Sequence, residues 1–299
     1  MAPGRWVPAL FSALALALLG HKSEPWAEGA PLFRSAKIQG DVVDDWCAGT
    51  VDSGLNTSVH VLSWSPRFVL VKRLVDPKDV EVFVNTASPK MKMSGLGLRP
   101  GEEFDSTIRT STGAFVSREE DPTGTIARVE ESLANLVGIP VPMGEAWNVL
   151  HYPLNGHYAH HYDYFDPEVF KDQAENPRLA TFLLYLRSPE GGGETIFPKS
   201  KVKNGYKGGE VIQSFDTCDR GLKVRAMPGD GVFFYSQTPD LTLDTSSLHG
   251  GCPVDKGEKW VATKWMHNLE FEHKYEPLKT AKCTKFTIDS SIQPVEKVY

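Results

Sequence analysis

The sequence predicts a mainly β protein with helices confined to its N-terminal part. The chain has 299 residues, among them 26 glycines and 21 prolines, which favours a loop-rich β protein over a helical bundle. From residue 145 onward, short apolar runs rich in Tyr, Phe and Val alternate with Gly, Pro and Asp turns. Short strands without intervening helices predict an antiparallel sandwich or jelly roll.

The N-terminus has the pattern of a targeting segment. Arg5 precedes an apolar run at 6–19, which is shorter than the ~20 residues of a membrane-spanning helix. We interpret residues 1–22 as a secretory signal, with cleavage between Gly20 and Ala30. The alternative is an uncleaved N-terminal anchor, and only then would the chain contact a membrane. We therefore expect the secretory pathway: the endoplasmic reticulum, as a lumenal or anchored protein, or the Golgi.

The cysteines and one sequon agree with a secreted chain. Cys47, Cys218, Cys252 and Cys283 lack the C-x-x-C spacing of a zinc site, and four cysteines allow three pairings. We favour Cys218 with Cys252, because both flank the predicted sheet of the C-terminal half, which leaves Cys47 with Cys283. One disulfide and two free thiols is the alternative. Asn56 begins an N-glycosylation sequon, so we expect a glycoprotein.

Residues 23–64 form an N-terminal extension that could contain a strand or two, and a buried strand is predicted at 68–71. A short helix opens at Asp76 and Pro77, and a longer one opens at Asp121. The longer helix has one apolar face and is stopped by glycine and proline. The apolar positions of the two helices are Val80, Phe83, Val84, Ile126, Val129, Leu133 and Leu136.

The long polar segment 88–120 lies between these helices. It is either a functional lid or a solvated connector. After it, candidate strands are at 146–152, 160–164, 181–187, 222–226, 231–235 and 259–268. We expect a catalytic domain at 65–270 and a polar C-terminal tail at 271–299. The formal net charge of −6 and the absence of a long basic run argue against nucleic acid as a partner.

Three residues form a candidate metal site. His161 and Asp163 are i and i+2, so on a strand both would point to one face and reach one ion. His249 could approach from another strand across the barrel. Two imidazoles and one carboxylate suit Fe(II) and leave coordination positions open. Because most His-x-Asp pairs are surface residues, the prediction depends on the residues that accompany this one.

A lysine follows the second histidine. If 259–268 is a strand, Lys259, Thr263 and Trp265 share one face. A lysine inside a barrel needs an anionic partner, which a bound dicarboxylate would supply. The alternative is a solvent-exposed Lys259.

Hydroxyl groups accompany these residues. Thr195 ends the segment GGGET at 191–195 and could donate to a bound carboxylate, although a hairpin turn would explain the glycines equally well. Phenols near the metal segment could bond to a co-substrate or stack on a proline-like ring, or they are ordinary strand aromatics. These phenols belong to Tyr152, Tyr158, Tyr162 and Tyr164.

Together these segments resemble the prolyl 4-hydroxylases of the plant, algal and collagen type, which are Fe(II)/2-oxoglutarate dioxygenases. The resemblance spans about residues 65–270, and its motifs stand in the family order. They are NVLHY at 148–152, YAHHYDYF at 158–165, GGET at 192–195, PGD at 228–230, FYS at 234–236, LHGGCP at 248–253 and KWVATKW at 259–265. The resemblance implies a double-stranded β-helix, or jelly-roll, core with supporting N-terminal helices.

The resemblance also implies residue roles. His161, Asp163 and His249 resemble the iron ligands, and Lys259 resembles the partner of the 2-oxoglutarate C5 carboxylate. Lysine at this position points to the collagen and plant branch, because oxygen-sensing prolyl hydroxylases and lysyl hydroxylases carry arginine there. The expected co-substrate helpers are Tyr152, Thr195 and Trp265, and the expected peptide contacts are Tyr158, Arg178, Glu145 and His267.

The expected activity is hydroxylation of peptidyl proline to 4-hydroxyproline with Fe(II), 2-oxoglutarate and O2, yielding succinate and CO2. The family also implies use of L-ascorbate and a mobile flap around 91–112. We expect a monomer that acts on proline-rich peptides or proteins. The alternatives are a related hydroxylase acting on another residue such as lysine, one restricted to arabinogalactan-type sequences, and a jelly-roll binding protein with a structural metal.

Overall fold

The structure, a computed structural model, describes residues 55–97, 101, 103, 105, 107–171, 173–200, 218, 221–271 and 286–289. The predictions for the segment 1–22 and for a Cys47–Cys283 pair concern residues outside these ranges. Two α-helices are described, α1 (Val80–Ala87) and α2 (Thr125–Val137). The strands are β1 (Thr57–Trp64), β2 (Arg67–Lys72), β3 (Lys92–Met93), β4 (Thr112–Val116), β5 (Trp147–Tyr152), β6 (Tyr158–His161), β7 (Arg178–Arg187), β8 (Gly191–Gly192), β9 (Thr195–Phe197), β10 (Leu222–Val224), β11 (Gly231–Tyr235), β12 (His249–Gly251), β13 (Val254–Lys256), β14 (Lys259–His267) and β15 (Phe286–Asp289).

The described strands form two unequal sheets and a short ribbon. The large sheet has nine strands in the order β15-β1-β2-β11-β7-β14-β5-β4-β3, and the small sheet has four in the order β10-β9-β12-β6. β8 and β13 form a separate two-stranded ribbon. Apart from the parallel pair β1 and β15, the strands pair antiparallel. The predicted mainly β fold with a jelly-roll core and N-terminal helices is confirmed.

Strict alternation along the central strands creates two apolar layers. Phe233 on β11 packs into the layer that the helices cover, while Phe234 packs into the layer facing the small sheet. The helix-side layer takes Phe83 of α1 and Leu133 of α2. On the other side Phe68 stacks on Phe197 with ring centroids 4.1 Å apart, joining β2 to β9. The central strands of the large sheet, such as β5, β11 and β14, are therefore buried on both faces, as their near-continuous apolar runs require.

Both helices begin later than their sequences predict. The Asp76 side chain accepts a hydrogen bond from Lys78 N, which forms a turn before α1 starts at Val80. Asp121 likewise accepts bonds from Thr123 N and Ile126 N, at 2.9 Å each. In both cases the aspartate caps a turn rather than occupying the first helical position.

The strand predictions after residue 145 locate the principal strands, and two predictions along the chain need correction. The predicted strand at 160–164 ends early, because β6 stops at His161. The segment 88–120 is not loop throughout, because β3 and β4 form a ladder that continues onto β5. In addition, β1 and β15 lie outside the predicted domain bounds 65 and 270 yet pair in the large sheet.

Candidate active site

Two histidines lie side by side on adjacent strands of the small sheet. In the pairing of β12 with β6, His249 is the direct partner of His161, and their ring centroids lie 4.4 Å apart. The Nε2 atom of His161 lies 3.6 Å from Oδ1 of Asp163, and Nε2 of His249 lies 3.6 Å from Oδ2. All three ligand atoms lie within 4.8 Å of one another. The fold thus brings together the three residues that the sequence singles out for iron.

A backbone carbonyl orients each imidazole. Nδ1 of His161 lies 2.8 Å from the Ala159 oxygen, and Nδ1 of His249 lies 3.0 Å from the Ser247 oxygen. Because a carbonyl only accepts, Nδ1 must donate, and in the neutral ring Nε2 keeps its lone pair. Burial lowers the pKa of His249 to about 4, although the charge of Asp163 opposes the shift. His249 is therefore neutral at pH 7, the form that binds metal.

Asp163 is held differently from the sequence prediction. A strand at 160–164 would place His161 and Asp163 on one face, but Asp163 lies in a bend after β6. Two side chains of β7 fix it instead. The Thr181 hydroxyl donates to Oδ2 at 2.7 Å, and Arg178 donates to the Asp163 backbone oxygen at 3.2 Å.

The donor set fits Fe(II). Burial raises the pKa of Asp163, but His249 and His161 lower it more, so this pKa lies well below its usual range and the carboxylate is anionic. One carboxylate and two imidazole nitrogens converging at one point form the 2-His-1-carboxylate set of nonhaem iron enzymes.

A pocket between the two sheets adjoins these ligands. Besides His161, Asp163 and His249, its walls are formed by Leu150, Tyr152, Tyr158, Thr181, Leu183, Thr195, Phe234, Gly250, Gly251, Lys259, Val261 and Thr263. We call this the inner pocket.

Lys259 is the only ammonium group among the described lining residues of the inner pocket. It is 3% exposed, and the structure gives its Nζ no hydrogen-bond or ion-pair partner among the residues it describes. Burial lowers its pKa to about 8, and the charge of Glu194 offsets only part of that. A buried cation without a paired anion is costly. The inner pocket therefore suits a bound carboxylate, such as the far end of 2-oxoglutarate.

Hydroxyl groups accompany Lys259. Tyr152 is its direct partner in the pairing of β14 with β5. Thr195 is 2% exposed, and its Oγ1 lies 2.6 Å from the Tyr185 hydroxyl. The pattern of strand aromatics in 181–187 did not single out Tyr185, because only the fold shows which phenol meets Thr195.

Arg109 and Ser111 are further residues that sequence reasoning missed. Arg109 is 6% exposed, donates to Ser111 Oγ at 2.9 Å and lies 4.4 Å over the Tyr158 ring. Burial raises the pKa of Tyr152, and hydrogen bonds with Ser111 and Arg109 oppose the rise. Both residues lie in the segment interpreted as a lid or connector. The sequence signal that could have identified Arg109 and Ser111 is their i, i+2 spacing directly before β4, which places both side chains on one face.

A wide outer cleft opens beside the inner pocket. Described residues of the expected flap at 91–112 line it, as do residues of the metal segment, among them Tyr158. Arg178 and Trp265 also line it. Tyr158 stacks on His161 with ring centroids 3.7 Å apart, and burial raises its pKa to about 12. The Arg178 guanidinium lies 3.8 Å over the Trp265 ring. Trp265, expected beside the co-substrate, lines this cleft and is not among the inner-pocket residues.

Glu145 and His267, which the resemblance gives as peptide contacts, are not among the described residues that line the cleft. Glu145 binds Arg178 through both carboxylate oxygens, at 2.6 and 3.2 Å. His267 is 2% exposed and lies 2.9 Å from the same carboxylate. Because β14 turns His267 under Arg178, these two residues support the arginine.

The favoured disulfide is present. Cys218 and Cys252 are bonded, and Cys252 N donates to the Glu194 oxygen at 2.9 Å. Cys252 directly follows β12, which carries His249. Separately, none of the helices in the described ranges is long and apolar enough to cross a membrane.

Comparisons with known proteins agree with this geometry. Residues 147–267 match the model of the 2OG-Fe(II) oxygenase superfamily. Probable prolyl 4-hydroxylase 9 of Arabidopsis thaliana is 42% identical over 215 residues, covering 71% of this chain and 73% of the relative. Prolyl 4-hydroxylase 1 of Arabidopsis thaliana is 33% identical over 264 residues, covering 85% and 90%.

A solved structure is also similar. It is a viral collagen prolyl hydroxylase from Paramecium Bursaria Chlorella virus-1 in a 2OG complex, with a TM-score of 0.47 and 26% identity over 68% of this chain and 96% of that one. On the sequence relatives, the chain belongs to the prolyl 4-hydroxylase family of 2OG-Fe(II) oxygenases.

Proposed function

We propose that the protein is a peptidyl-prolyl 4-hydroxylase that uses Fe(II), 2-oxoglutarate and O2 and yields succinate and CO2. One observation carries the proposal: the His161, Asp163 and His249 ligand set shares a pocket with the buried, unpartnered ammonium of Lys259. A structural metal site in a binding protein would have no use for an unpaired cation beside it. An enzyme that holds a dicarboxylate next to its iron would.

The chain's own residues bind and orient the reactants. His161, Asp163 and His249 would hold Fe(II), while Lys259 and Tyr152 would hold the remote carboxylate of 2-oxoglutarate. This two-ended grip fixes the co-substrate before reaction, which is a contribution of orientation. When bound, the metal and co-substrate supply the oxidative chemistry that inserts one oxygen atom at C4 of proline.

The inner pocket also excludes water from the reacting groups. Leu150, Leu183 and Val261 line it beside the polar groups. In such a surrounding, charged contacts are stronger than in water, and reactive species are protected from side reactions.

The outer cleft would receive the peptide. Its volume of about 1380 Å³ exceeds the roughly 300–1,000 Å³ of small-molecule sites. Tyr162 and Tyr164 stack at 4.6 Å along it, and Phe115 is a further exposed aromatic. Aromatic grooves bind proline-rich segments in the extended left-handed helix. We propose peptides of this class as substrates.

We further propose that the enzyme works in the secretory pathway and uses ascorbate to keep its iron reduced. The apolar N-terminal run supports this location, as does the Cys218–Cys252 bond, since disulfides persist in oxidising compartments. Asn56 is exposed immediately before β1, where a glycan could be carried. We expect a glycosylated monomer.

The test is turnover of 2-oxoglutarate with Fe(II) and ascorbate, with and without a poly-proline peptide. We expect peptide-stimulated succinate release and a peptide mass gain of one oxygen atom, located at C4 of proline by NMR. Asp163→Ala should abolish both signals. Asp79→Ala, at the start of α1 on the helix-covered side, should abolish neither.

Each other result has a definite meaning. Turnover without peptide oxidation would keep the oxygenase and discard the proline substrate. Iron binding without any turnover would overturn the enzyme proposal.

A further inference from the structure

The metal-binding carboxylate is the ligand with the least local support. His161 and His249 lie on paired strands and have carbonyl partners for Nδ1. Asp163 lies past the end of β6, in a bend without ladder pairing. Rotation of an aspartate carboxylate about its last torsion is broad and roughly two-fold. Its orientation therefore needs a partner from elsewhere in the fold.

Thr181 is placed to be that partner. It lies on β7, where its neighbours on the two flanking strands are Phe234 and Trp265. The residue is 1% exposed, and its hydroxyl donates to Oδ2 of Asp163 at 2.7 Å. A hydroxyl held in the middle of a sheet gives a fixed direction to the carboxylate that accepts from it.

The bond fixes one of the two carboxylate oxygens. A charge-assisted O–H···O bond is short and strong, and it occupies lone-pair capacity of Oδ2. Both carboxylate oxygens face the histidines: Oδ1 lies 3.6 Å from Nε2 of His161, and Oδ2 lies 3.6 Å from Nε2 of His249. Partners that orient metal ligands in this way tune affinity for the metal, and losing one costs roughly 10- to 100-fold.

We propose that Thr181 is a positioning residue that fixes the carboxylate rotation of Asp163 for metal binding. The inference rests on the proposed iron site. Under this proposal, a residue of β7 in the large sheet aligns Asp163, whereas the two histidine ligands belong to the small sheet. The hydroxyl, rather than the shape of the side chain, performs this role.

The experiment measures the affinity of metal-free protein for Fe(II) under anaerobic conditions, and for Co(II), by calorimetry. We expect Thr181→Val to weaken binding by about 10- to 100-fold and to shift the absorption bands of bound Co(II). Thr181→Ser, which keeps the hydroxyl, should restore the affinity and the spectrum. Thr57→Val is the matched control, because Thr57 is also buried and its hydroxyl donates to the Arg73 oxygen at 2.8 Å.

The control separates stability from metal binding. Thr57→Val should lower the melting temperature without changing metal affinity or the Co(II) spectrum. If Thr181→Val does not fold, Thr181→Ala is measured in the same way. Wild-type affinity and spectrum in the hydroxyl-free variant would overturn the positioning role. Failure of the wild-type protein to bind metal would instead overturn the proposed iron site, and Thr181's role with it.

Discussion

Lys259 and Tyr152 are direct partners across two antiparallel strands of the large sheet. Nζ of Lys259 lies 5.6 Å from the centre of the Tyr152 ring. The pairing of the strands, and not the conformation of the loops, keeps directly opposed side chains on one face of a sheet close together. The cation and the phenol are therefore held at the inner pocket by backbone pairing, before any ligand arrives.

Replacing Lys259 with Met should selectively remove 2-oxoglutarate binding. The variant keeps the apolar stem but loses the charge, and losing one member of a buried charge pair costs about 2–5 kcal/mol. We expect the KM for 2-oxoglutarate to rise roughly 30-fold or more. Steady-state kinetics with varied co-substrate would measure this.

Stability and metal binding are the controls for Lys259→Met. Because the ligand-free protein carries an uncompensated buried ammonium, the variant should melt no lower than the wild type. Fe(II) affinity should not change. An unchanged KM for 2-oxoglutarate would exclude Lys259 as its carboxylate partner.

Co-substrate binding should weaken in alkaline solution. Burial lowers the pKa of Lys259 from its ordinary 10.5 to about 8, so the ligand-free protein loses this charge as pH rises through about 8. A dicarboxylate needs the charged form, so its apparent KM should rise by up to about tenfold per pH unit above that point. Lys259→Arg, whose guanidinium stays charged, should show no such rise.

The lowered pKa of Lys259 also predicts how the free energy of unfolding changes with pH. Below pH 8 the lysine is charged in both folded and unfolded chains, and the folded protein bears the full cost of the buried charge. Between about pH 8 and 10.5 this lysine is charged only in the unfolded chain, so folding releases its proton. Where the folded state holds fewer protons, this group contributes a rise in stability with pH. Unfolding of wild type compared with Lys259→Met would isolate that contribution.

Periodicity and composition were sufficient for the fold class and for most strands after residue 145. Short apolar runs between turn residues mark strands such as β5, β11 and β14 irrespective of their partners. Strand ends are different, because they depend on pairing. β6 stops at His161 because its partner β12 has only three residues, and sequence alone does not reveal that partner.

The sequence identifies the residues that could bind metal and co-substrate. It does not show which other side chains contact them in the fold. The spacing of His161 and Asp163 marked a metal site, although Asp163 reaches it from a bend. Glu145 and His267 matched family positions, but burial beneath Arg178 gives them a supporting place. Such assignments depend on which side chains the strands β7 and β14 and the segment before β5 bring together.

Replacing Arg178 with Lys should impair peptide binding more than co-substrate binding. Lysine keeps the charge but loses the two-pronged bond to Glu145 and the planar stack on Trp265. We expect the peptide KM to rise about tenfold, from a loss of about 1–2 kcal/mol. The KM for 2-oxoglutarate should stay near the wild-type value.

Arg187→Lys is the matched control for that substitution. Arg187 also makes a two-pronged bond to a carboxylate, that of Glu81, at 2.9 and 2.7 Å, and it lies 5.6 Å from the Trp260 ring. It donates in addition to Glu258 Oε1 at 3.2 Å. It lies outside the described linings of both the inner pocket and the outer cleft. Its variant should leave both KM values unchanged. Equal effects of the two variants on peptide KM would contradict the assignment of Arg178 to the peptide cleft.

Removing the Cys218–Cys252 bond should destabilise the protein and loosen the strand that carries His249. The bond closes a chain separation of 34 residues, for which the free energy of unfolding should fall by about 2–4 kcal/mol. Denaturant unfolding of the Cys218→Ser, Cys252→Ser double variant measures the loss, and calorimetry measures Fe(II) affinity. Since Cys252 follows β12 directly, metal affinity should fall as well. A double variant that unfolds with wild-type free energy and binds iron equally well would show that the small sheet holds His249 without the crosslink.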